Sequence, residues 1–189
     1  MSDTPKPRRE KPKRATERRP SLVLVNTGDG KGKSTAALGT ALRAAGAGLT
    51  VCVIQFLKSG RWKTGEEAAG RRLGIDWWAL GDGFTWDSTD MDETEARARA
   101  AWAKAKDAIG GGAYQLVVLD EATYPVTWGW IDEADVVASI RSRPEHVTVI
   151  ITGRAASPGL LELADTATEM VKIKHAFDSG VKALKGVDF

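Results

Sequence analysis

The stretch that decides the fold is Thr27-Gly-Asp-Gly-Lys-Gly-Lys-Ser-Thr35, which closely follows the apolar run Leu22-Val-Leu-Val25. Its glycines allow the backbone to turn tightly and to point successive N–H groups at an anion. Lys33 adds a compact positive charge, and Ser34 places a hydroxyl where a phosphate-bound Mg²⁺ usually lies. The following segment, 34–45, has a helical pattern whose positive N-terminal end faces the same anion. The sequence therefore predicts a binding site for a nucleoside triphosphate.

This loop departs from the usual G-x-x-x-x-G-K-[ST] pattern, because Thr27 stands at the first glycine position. The alternative is a glycine-rich turn without a ligand. A strand before the loop, a helix after it and Gly-Lys-Ser in register favour phosphate binding. Arg154, just after a later strand, is either a phosphate contact or an ordinary surface arginine. We predict the following nucleotide contacts: Thr27, Gly28, Asp29, Gly30, Lys31, Gly32, Lys33, Ser34, Thr35 and Arg154.

Apolar runs typical of strands alternate with helical patterns along the chain. Strands are predicted at 22–25, 50–56, 75–80, 115–119, 147–152 and 170–174. Helices are predicted at 34–45, 64–73, 91–109, 132–141 and 157–165. The central strands are almost continuously Val, Ile and Leu, as expected when helices cover both faces of a parallel sheet. The pattern predicts an α/β fold, a three-layer P-loop NTPase (RecA-like) domain with a mostly parallel six-stranded sheet.

Charge is unevenly distributed along the 189 residues, although the formal net charge is only +2. Residues 1–20 carry eight Lys and Arg against three Asp and Glu, with four of the seven prolines, which predicts a disordered basic tail before a domain at 21–189. The domain is mildly acidic, which argues against nucleic acid as its main partner. No apolar stretch is long enough to span a bilayer, so we expect a cytoplasmic protein without a membrane partner. The single cysteine, Cys52, lies in an apolar run and is expected in the core.

Two carboxylates follow the fourth predicted strand, in Leu116-Val-Val-Leu-Asp-Glu121. In phosphate-loop proteins an acid at this place holds Mg²⁺ near the hydroxyl of the loop serine. The predicted metal ligands are therefore Ser34, Asp120 and Glu121. Side-chain alternation along the strand indicates that only one of the two acids faces the metal, and the sequence leaves open which one.

Aromatic residues are concentrated in two loops. The segment Gly81-Asp-Gly-Phe-Thr-Trp86 follows the third predicted strand, and its aromatics either fold back on the core or cover a large flat ligand. Trp77 and Trp78 lie in the strand itself, so one of them is expected to face the core. Trp128 and Trp130 follow the acidic strand end and either line a pocket mouth or pack a loop.

Together these segments resemble the P-loop type of ATP:corrinoid adenosyltransferase, which adenosylates cob(I)alamin and cob(I)yrinic acid a,c-diamide. The Thr at the first loop position is normal for this family. The resemblance covers about residues 21–189. It rests on five runs in order: 27–37, Gly83-Phe-Thr-Trp86, Val118-Leu-Asp-Glu-Ala-Thr-Tyr124, Val149-Ile-Ile-Thr-Gly-Arg154, and the C-terminal stretch from Val171 that includes Lys174-His-Ala-Phe-Asp178 and ends in Lys185-Gly-Val-Asp-Phe189.

The resemblance implies transfer of the 5′-deoxyadenosyl group of ATP to Co(I) of a reduced corrinoid, with release of triphosphate, in adenosylcobalamin (vitamin B12 coenzyme) biosynthesis. Lys33, the backbone N–H groups of 28–34 and Mg²⁺ would stabilise the departing triphosphate. Phe84 and Trp86 match the aromatic residues with which the family displaces the lower axial ligand of cobalt. The family is also homodimeric, holds ATP reversed relative to ordinary P-loop enzymes, and takes electrons from a donor such as a reduced flavoprotein.

Two other functions are compatible with a phosphate-binding loop. A P-loop ATPase or small-molecule kinase would need a residue that activates the acceptor or positions water, and the sequence offers no clear one. A non-catalytic nucleotide- or RNA-binding module would use the basic tail, yet 1–20 has no aromatic residue to stack on bases.

Overall fold

The computed structural model describes residues 16–59, 64–81 and 91–188. Its centre is a single sheet in which every neighbouring pair of strands is parallel. The strands are β1 (Val23–Thr27), β2 (Val51–Gln55), β3 (Asp76–Ala79), β4 (Leu116–Asp120), β5 (Thr148–Thr152) and β6 (Thr166–Glu169). Their order across the sheet is β3-β2-β4-β5-β1-β6. The predicted six-stranded α/β fold is confirmed, and the described strands are all parallel.

Helices cover both faces of this sheet. They are α1 (Lys33–Gly46), α2 (Gly65–Arg72), α3 (Met91–Gly110), α4 (Thr123–Thr127), α5 (Glu133–Arg141) and α6 (Pro158–Leu163), followed by a 3₁₀ turn at Ala176–Ser179. Among the described residues, the starts of α2 and α5 are capped by side chains: Thr64 accepts from the N–H of Glu67 and Asp132 from that of Ala134. The short α4 was not predicted, since five residues that include Pro125 show no helical period.

Alternate residues of each strand enter two separate hydrophobic cores. On β2, Val53 faces the core shared with α1, whereas Ile54 faces the core shared with α3, α5 and α6. On β3, Trp77 is buried beside α2, and Trp78 packs from the opposite face. The expected three layers are present, with one hydrophobic core on each face of the sheet.

The predicted position of the sixth strand was wrong. The alternating run 170–174 suggested a strand, but β6 is the preceding Thr166–Glu169, an exposed edge strand with no large apolar residue. Backbone pairing with β1 decides its place, and the adjoining Asp165 carboxylate accepts from the N–H of Val23 at 2.8 Å. An edge strand needs no buried face, so hydrophobicity does not mark it. The chain after β6 instead turns onto the phosphate-binding loop.

At the N-terminal side, folded contacts begin before the predicted domain boundary. Arg19 donates to the carboxylate of Asp165 at 2.6 Å. Cys52 is fully buried, as expected, and burial raises the pKa of its thiol to about 12. No helix in 16–59, 64–81 or 91–188 is both long enough and apolar enough to cross a membrane.

Candidate active site

A cavity of about 640 Å³ opens beside the phosphate-binding loop. The loop leaves β1 at the carboxyl end of the sheet, where the sequence predicted the ligand, and α1 begins at Lys33. The first turn of α1 therefore supplies unpaired N–H groups and the positive end of the helix dipole. The loop and the start of α1 line the cavity with Lys31, Gly32, Lys33, Ser34 and Thr35.

The loop is held from outside by the chain that follows β6. The N–H of Gly30 donates to the carbonyl oxygen of Met170 at 2.6 Å. A Cβ atom at Gly30 would lie 2.6 Å from the same oxygen, and one at Gly28 would lie 2.5 Å from it. These two glycines are therefore required by the close approach of Met170, a reason that the sequence did not indicate.

Lys33 is folded back over its own loop. Its Nζ donates to the carbonyl oxygen of Gly30 at 2.7 Å. Burial lowers the pKa of Lys33, and the nearby guanidinium of Arg154 lowers it further. A bound phosphate would oppose both effects by supplying a negative partner. Lys33 lines the cavity, and its role as a phosphate contact stays a prediction.

The other predicted nucleotide contacts divide into two groups. Arg154 lines the cavity, and its Nε lies 3.7 Å from the carboxylate of Asp29, which is exposed to solvent. The Thr27 hydroxyl accepts from the N–H of Ala156 at 3.0 Å and so ties the loop to the chain after β5. Among the described residues that line the cavity, Thr27, Gly28, Asp29 and Gly30 are absent.

The two adjacent acids occupy different environments. Asp120 is fully buried, and it accepts from Gln55 Nε2 at 2.9 Å and from Thr152 Oγ1 at 2.8 Å. Glu121 lines the cavity and has a positive φ of 62°, a strained conformation for a residue with a side chain. Of these two acids, only Glu121 lines the cavity.

Glu121 is an unusual carboxyl group for a site that binds anions. Burial and the neighbouring Asp120 raise its pKa to about 7, while the cations Lys58, Lys33 and Arg154 act in the opposite direction. The ionised form of such a carboxyl group is strongly stabilised by a nearby cation, because the positive charge offsets the electrostatic cost of ionisation.

Lys58 is a cavity residue that the sequence analysis missed. It follows β2, and its Nζ lies 3.5 Å from a carboxylate oxygen of Glu66 and 3.7 Å from Asp120 Oδ2. Burial acts to lower its pKa, but Asp120, Glu121 and Glu66 outweigh burial and raise it. Lys58 follows a strand that carried no motif, so no local signal pointed to it.

The far wall of the cavity is apolar. It lies between α1 and α2 and ends on the indole ring of Trp77. Two leucines at its mouth, Leu42 and Leu73, are about half exposed. The apolar side chains that line this wall are Leu38, Ala41, Leu42, Ala69, Leu73, Ile75 and Trp77. The cavity thus joins a cationic, phosphate-binding end to an apolar wall, a combination that suits an ATP-like ligand.

The aromatic predictions have mixed outcomes. Phe84 and Trp86 lie outside the described residues. Trp128 packs at a tilt against Trp130 and Tyr124, with ring centroids 4.6 Å and 5.4 Å apart. Of these three, only Tyr124 lines the cavity. Trp128 and Trp130 therefore pack against each other rather than forming the lining.

Comparison with known proteins decides the family. The sequence model of the family described as ATP:corrinoid adenosyltransferase BtuR/CobO/CobP matches residues 19–189. The chain belongs to this family. It is 44% identical to the corrinoid adenosyltransferase of Escherichia coli K12 over 168 residues, which covers 89% of this chain and 85% of that protein. Corrinoid adenosyltransferase CobA of Salmonella typhimurium LT2 is 42% identical with the same coverage. A corrinoid adenosyltransferase of Pseudomonas aeruginosa PAO1 is 45% identical, covering 89% and 83%.

Family membership identifies the chain as a corrinoid adenosyltransferase, which transfers the adenosyl group of ATP to a corrinoid in cobalamin biosynthesis. The resemblance inferred from the sequence is thereby confirmed. The phosphate-binding loop at one end of the cavity is consistent with ATP as the adenosyl donor.

Proposed function

We propose that the loop holds the triphosphate of ATP as a leaving group rather than presenting its terminal phosphoryl group for transfer. The observation that carries this proposal is the cavity, in which Lys31, Lys33 and Arg154 lie together at the phosphate end. In the transfer, the electron pair of Co(I) forms a bond to C5′ of ATP. The C5′–O bond breaks, and its electron pair leaves with the triphosphate. The protein's part is to orient C5′ and to stabilise the charge that develops on the departing oxygens.

This chemistry requires no side-chain nucleophile, because reduced cobalt is itself a very strong nucleophile. The described residues agree with that requirement, since their one cysteine, Cys52, is buried with a pKa of about 12. Both histidines, His146 and His175, lie outside the set of described residues that line the cavity. We assign charge stabilisation to Lys33 and to the N–H groups at the start of α1.

The residues present fit a magnesium ion. Mg²⁺ prefers one or two carboxylates together with phosphate oxygens and water, and it does not need a cage made only of protein groups. Glu121 offers a carboxylate and Ser34 a hydroxyl, and both residues line the cavity. Bound there, the ion would offset the negative charge of the triphosphate. Both carboxylate oxygens of Asp120 accept hydrogen bonds inside the protein. We propose that Asp120 supports Glu121 through these bonds rather than binding the metal directly.

Further features are proposed from the family resemblance and, for the location and the segment 1–20, from the composition of the sequence. Phe84 and Trp86 are assigned to the lower face of the corrin ring, where they displace the axial ligand of cobalt and make its reduction easier. We also propose a homodimer, an electron donor such as a reduced flavoprotein, and a cytoplasmic location. The basic segment 1–20 is proposed to be separate from the domain at 21–189 and to contribute little to its core.

Product analysis tests the proposed reaction. The protein is incubated with ATP, Mg²⁺ and a chemically reduced corrinoid, and we expect an adenosylated corrinoid with a cobalt–carbon bond and inorganic triphosphate. ADP and phosphate with an unchanged corrinoid would contradict the proposal and favour an ATPase or kinase. In the same assay, replacement of Phe84 and Trp86 by alanine should slow the reaction that starts from Co(II) far more than the one that starts from Co(I). Equal losses would refute the ligand-displacement role.

A further inference from the structure

A chain of buried hydrogen bonds crosses four neighbouring strands at the carboxyl end of the sheet. It begins at the indole N–H of Trp77 on β3, which donates to Gln55 Oε1 on β2 at 2.9 Å. Gln55 Nε2 then donates to Asp120 Oδ2 on β4 at 2.9 Å. On the far side of Asp120, Thr152 Oγ1 on β5 donates to Oδ1 at 2.8 Å. The last bond runs from the N–H of Glu121 to Thr152 Oγ1 at 2.9 Å.

The donor and acceptor properties of these groups permit only one direction along the chain. An indole nitrogen can only donate, so Gln55 must turn its oxygen toward Trp77 and its NH₂ group toward Asp120. An ionised carboxylate can only accept, so the single hydroxyl hydrogen of Thr152 points at Asp120. The lone pairs of that hydroxyl are then free to accept from the backbone of Glu121. Each group thus fixes the orientation of the next.

Burial makes this arrangement rigid. Gln55, Asp120 and Thr152 are each at most 1% exposed, and Trp77 is 3% exposed. Gln55 and Asp120 are register partners on adjacent parallel strands, so their side chains lie beside each other. A buried polar group that loses its partner is destabilised by about 1–3 kcal/mol, which disfavours any alternative orientation of the chain.

Both ends of the chain reach the cavity. Trp77 forms part of its apolar wall, and Glu121 lies at its phosphate end. Glu121 adopts its positive φ directly after Asp120, and the hydrogen bond from its N–H to Thr152 holds that backbone turn in place. The buried chain therefore connects the apolar wall to the carboxylate that reaches the phosphate end.

We infer that Gln55 and Trp77 are positioning residues that orient Glu121 for its work at the Mg²⁺–triphosphate end of the site. Neither residue touches the phosphates; both act through Asp120 and Thr152. The inference rests on the proposed function, because it takes Glu121 as the carboxylate beside the metal. It extends that function by coupling the apolar wall of the cavity to the metal-binding carboxylate.

Binding of inorganic triphosphate tests the inference without any chemistry. Dissociation constants are measured by calorimetry on the full chain, with Mg²⁺ and with EDTA, so that their ratio reports how much the metal strengthens binding. Gln55→Met keeps the side-chain size but removes both polar atoms, and we expect it to reduce that ratio about tenfold. Trp77→Phe keeps an aromatic ring in the core but removes the N–H, and we expect a reduction of about threefold.

The matched control is Trp78→Phe. Trp78 is the next residue on β3, but it faces the other side of the sheet, where it packs edge-on against Tyr114 at 6.3 Å between centroids. The Trp78→Phe variant should leave the ratio of the two dissociation constants unchanged. Triphosphate binding in EDTA should be the same for all three variants, since the buried hydrogen-bond chain does not contact the phosphate-binding loop.

The other outcomes are equally decisive. Equal weakening with Mg²⁺ and with EDTA would mean that Gln55 and Trp77 only support the fold, and an unchanged ratio in both variants would overturn the inference as well. If Gln55→Met does not fold, Trp77→Phe alone decides between these results. Failure of the wild-type protein to bind triphosphate at all would instead contradict the proposed function.

Discussion

At the scale of single residues, two adjacent carboxylates take different roles because their surroundings differ. Asp120 points into the sheet and accepts two hydrogen bonds from buried side chains. Glu121 turns out of the strand into the cavity, with a φ of 62°. Its pKa of about 7 is set mainly by burial and by the charge of Asp120. Glu121 therefore changes its charge near neutral pH when no cation is bound.

The raised pKa of Glu121 predicts how stability depends on pH. The folded protein holds this proton up to about pH 7, whereas the unfolded chain loses it near 4.5. Between these values the folded state binds more protons, so the contribution of Glu121 to the free energy of unfolding falls as pH rises. Glu121→Gln should abolish this fall and should be more stable than the wild type at pH 8, by at most about 3 kcal/mol.

Urea denaturation in metal-free buffer at several values between pH 5 and 8 measures this difference. Glu162→Gln, at an exposed position on α6, is the control and should keep the wild-type pH dependence. If Glu121→Gln and the wild type follow parallel curves, the carboxyl group is already ionised at pH 5 and its assigned environment is incorrect.

At the scale of secondary-structure elements, the cavity depends on how closely α2 approaches β3. Gly70 lies in the middle of α2, and a Cβ atom there would be 2.9 Å from Cζ3 of Trp77. The helix can pack on the indole face only because this position lacks a side chain. The apolar wall of the cavity and the position of Trp77 therefore depend on the same glycine.

Gly70→Ala is expected to destabilise the protein in spite of the better helix propensity of alanine. Propensity favours alanine by up to about 1 kcal/mol, but a methyl group forced against a buried ring costs about 1–3 kcal/mol. Gly65→Ala, at the first position of the same helix, meets no atom within 4 Å and is the matched control. Thermal unfolding should show a lower midpoint for Gly70→Ala only. A midpoint raised by both changes would mean that α2 moves freely away from Trp77.

At the scale of the whole molecule, the segment that follows β6 contacts the phosphate-binding loop at two points. The carbonyl oxygen of Met170 accepts from Gly30, and Lys31 Nζ lies 2.5 Å from Asp188 Oδ1. Asp188 also lines the cavity and accepts from the N–H of Leu184 at 2.8 Å. The loop is thus paired with the segment around Asp188, and a triphosphate would compete with Asp188 for Lys31.

Asp188→Asn is therefore expected to strengthen triphosphate binding. The ion pair is partly exposed and therefore weak, so we expect an affinity gain of at most about fivefold. Asp178→Asn is the control, because Asp178 pairs with Lys172 at 3.0 Å in the same segment and lies outside the described cavity lining. Calorimetric titration with triphosphate distinguishes the two variants. Weaker binding by Asp188→Asn would show that Asp188 holds Lys31 ready for the phosphate instead of competing with it.

Much of this architecture could be predicted from local sequence. Five of the six strands were found because a parallel sheet covered by helices needs continuous apolar runs, such as Val51–Gln55 and Leu116–Asp120. The sixth strand was predicted at 170–174 instead of Thr166–Glu169, because an exposed edge strand has no apolar pattern. The short helix α4, Thr123–Thr127, was not predicted because five residues are too few to show a helical period.

The site was predictable wherever its chemistry lies in consecutive residues. Gly32, Lys33 and Ser34 are recognisable because a phosphate needs backbone N–H groups, a charge and a helix start within a few residues. Gln55 gave one faint signal, as a polar residue at the end of an apolar strand. Nothing in the sequence near it showed that its partner would be Asp120, 65 residues further along the chain.

The sequence by itself thus determined the order of strands and helices, the phosphate-binding loop and the family, since each depends on short runs of residues. Only the tertiary structure decided that Glu121 rather than Asp120 reaches the cavity, that Met170 requires glycine at position 30, and that Asp188 pairs with Lys31. The physical reason is that pairing across a sheet depends on strand order and register. Those are set by the packing of the whole chain, which no local pattern contains.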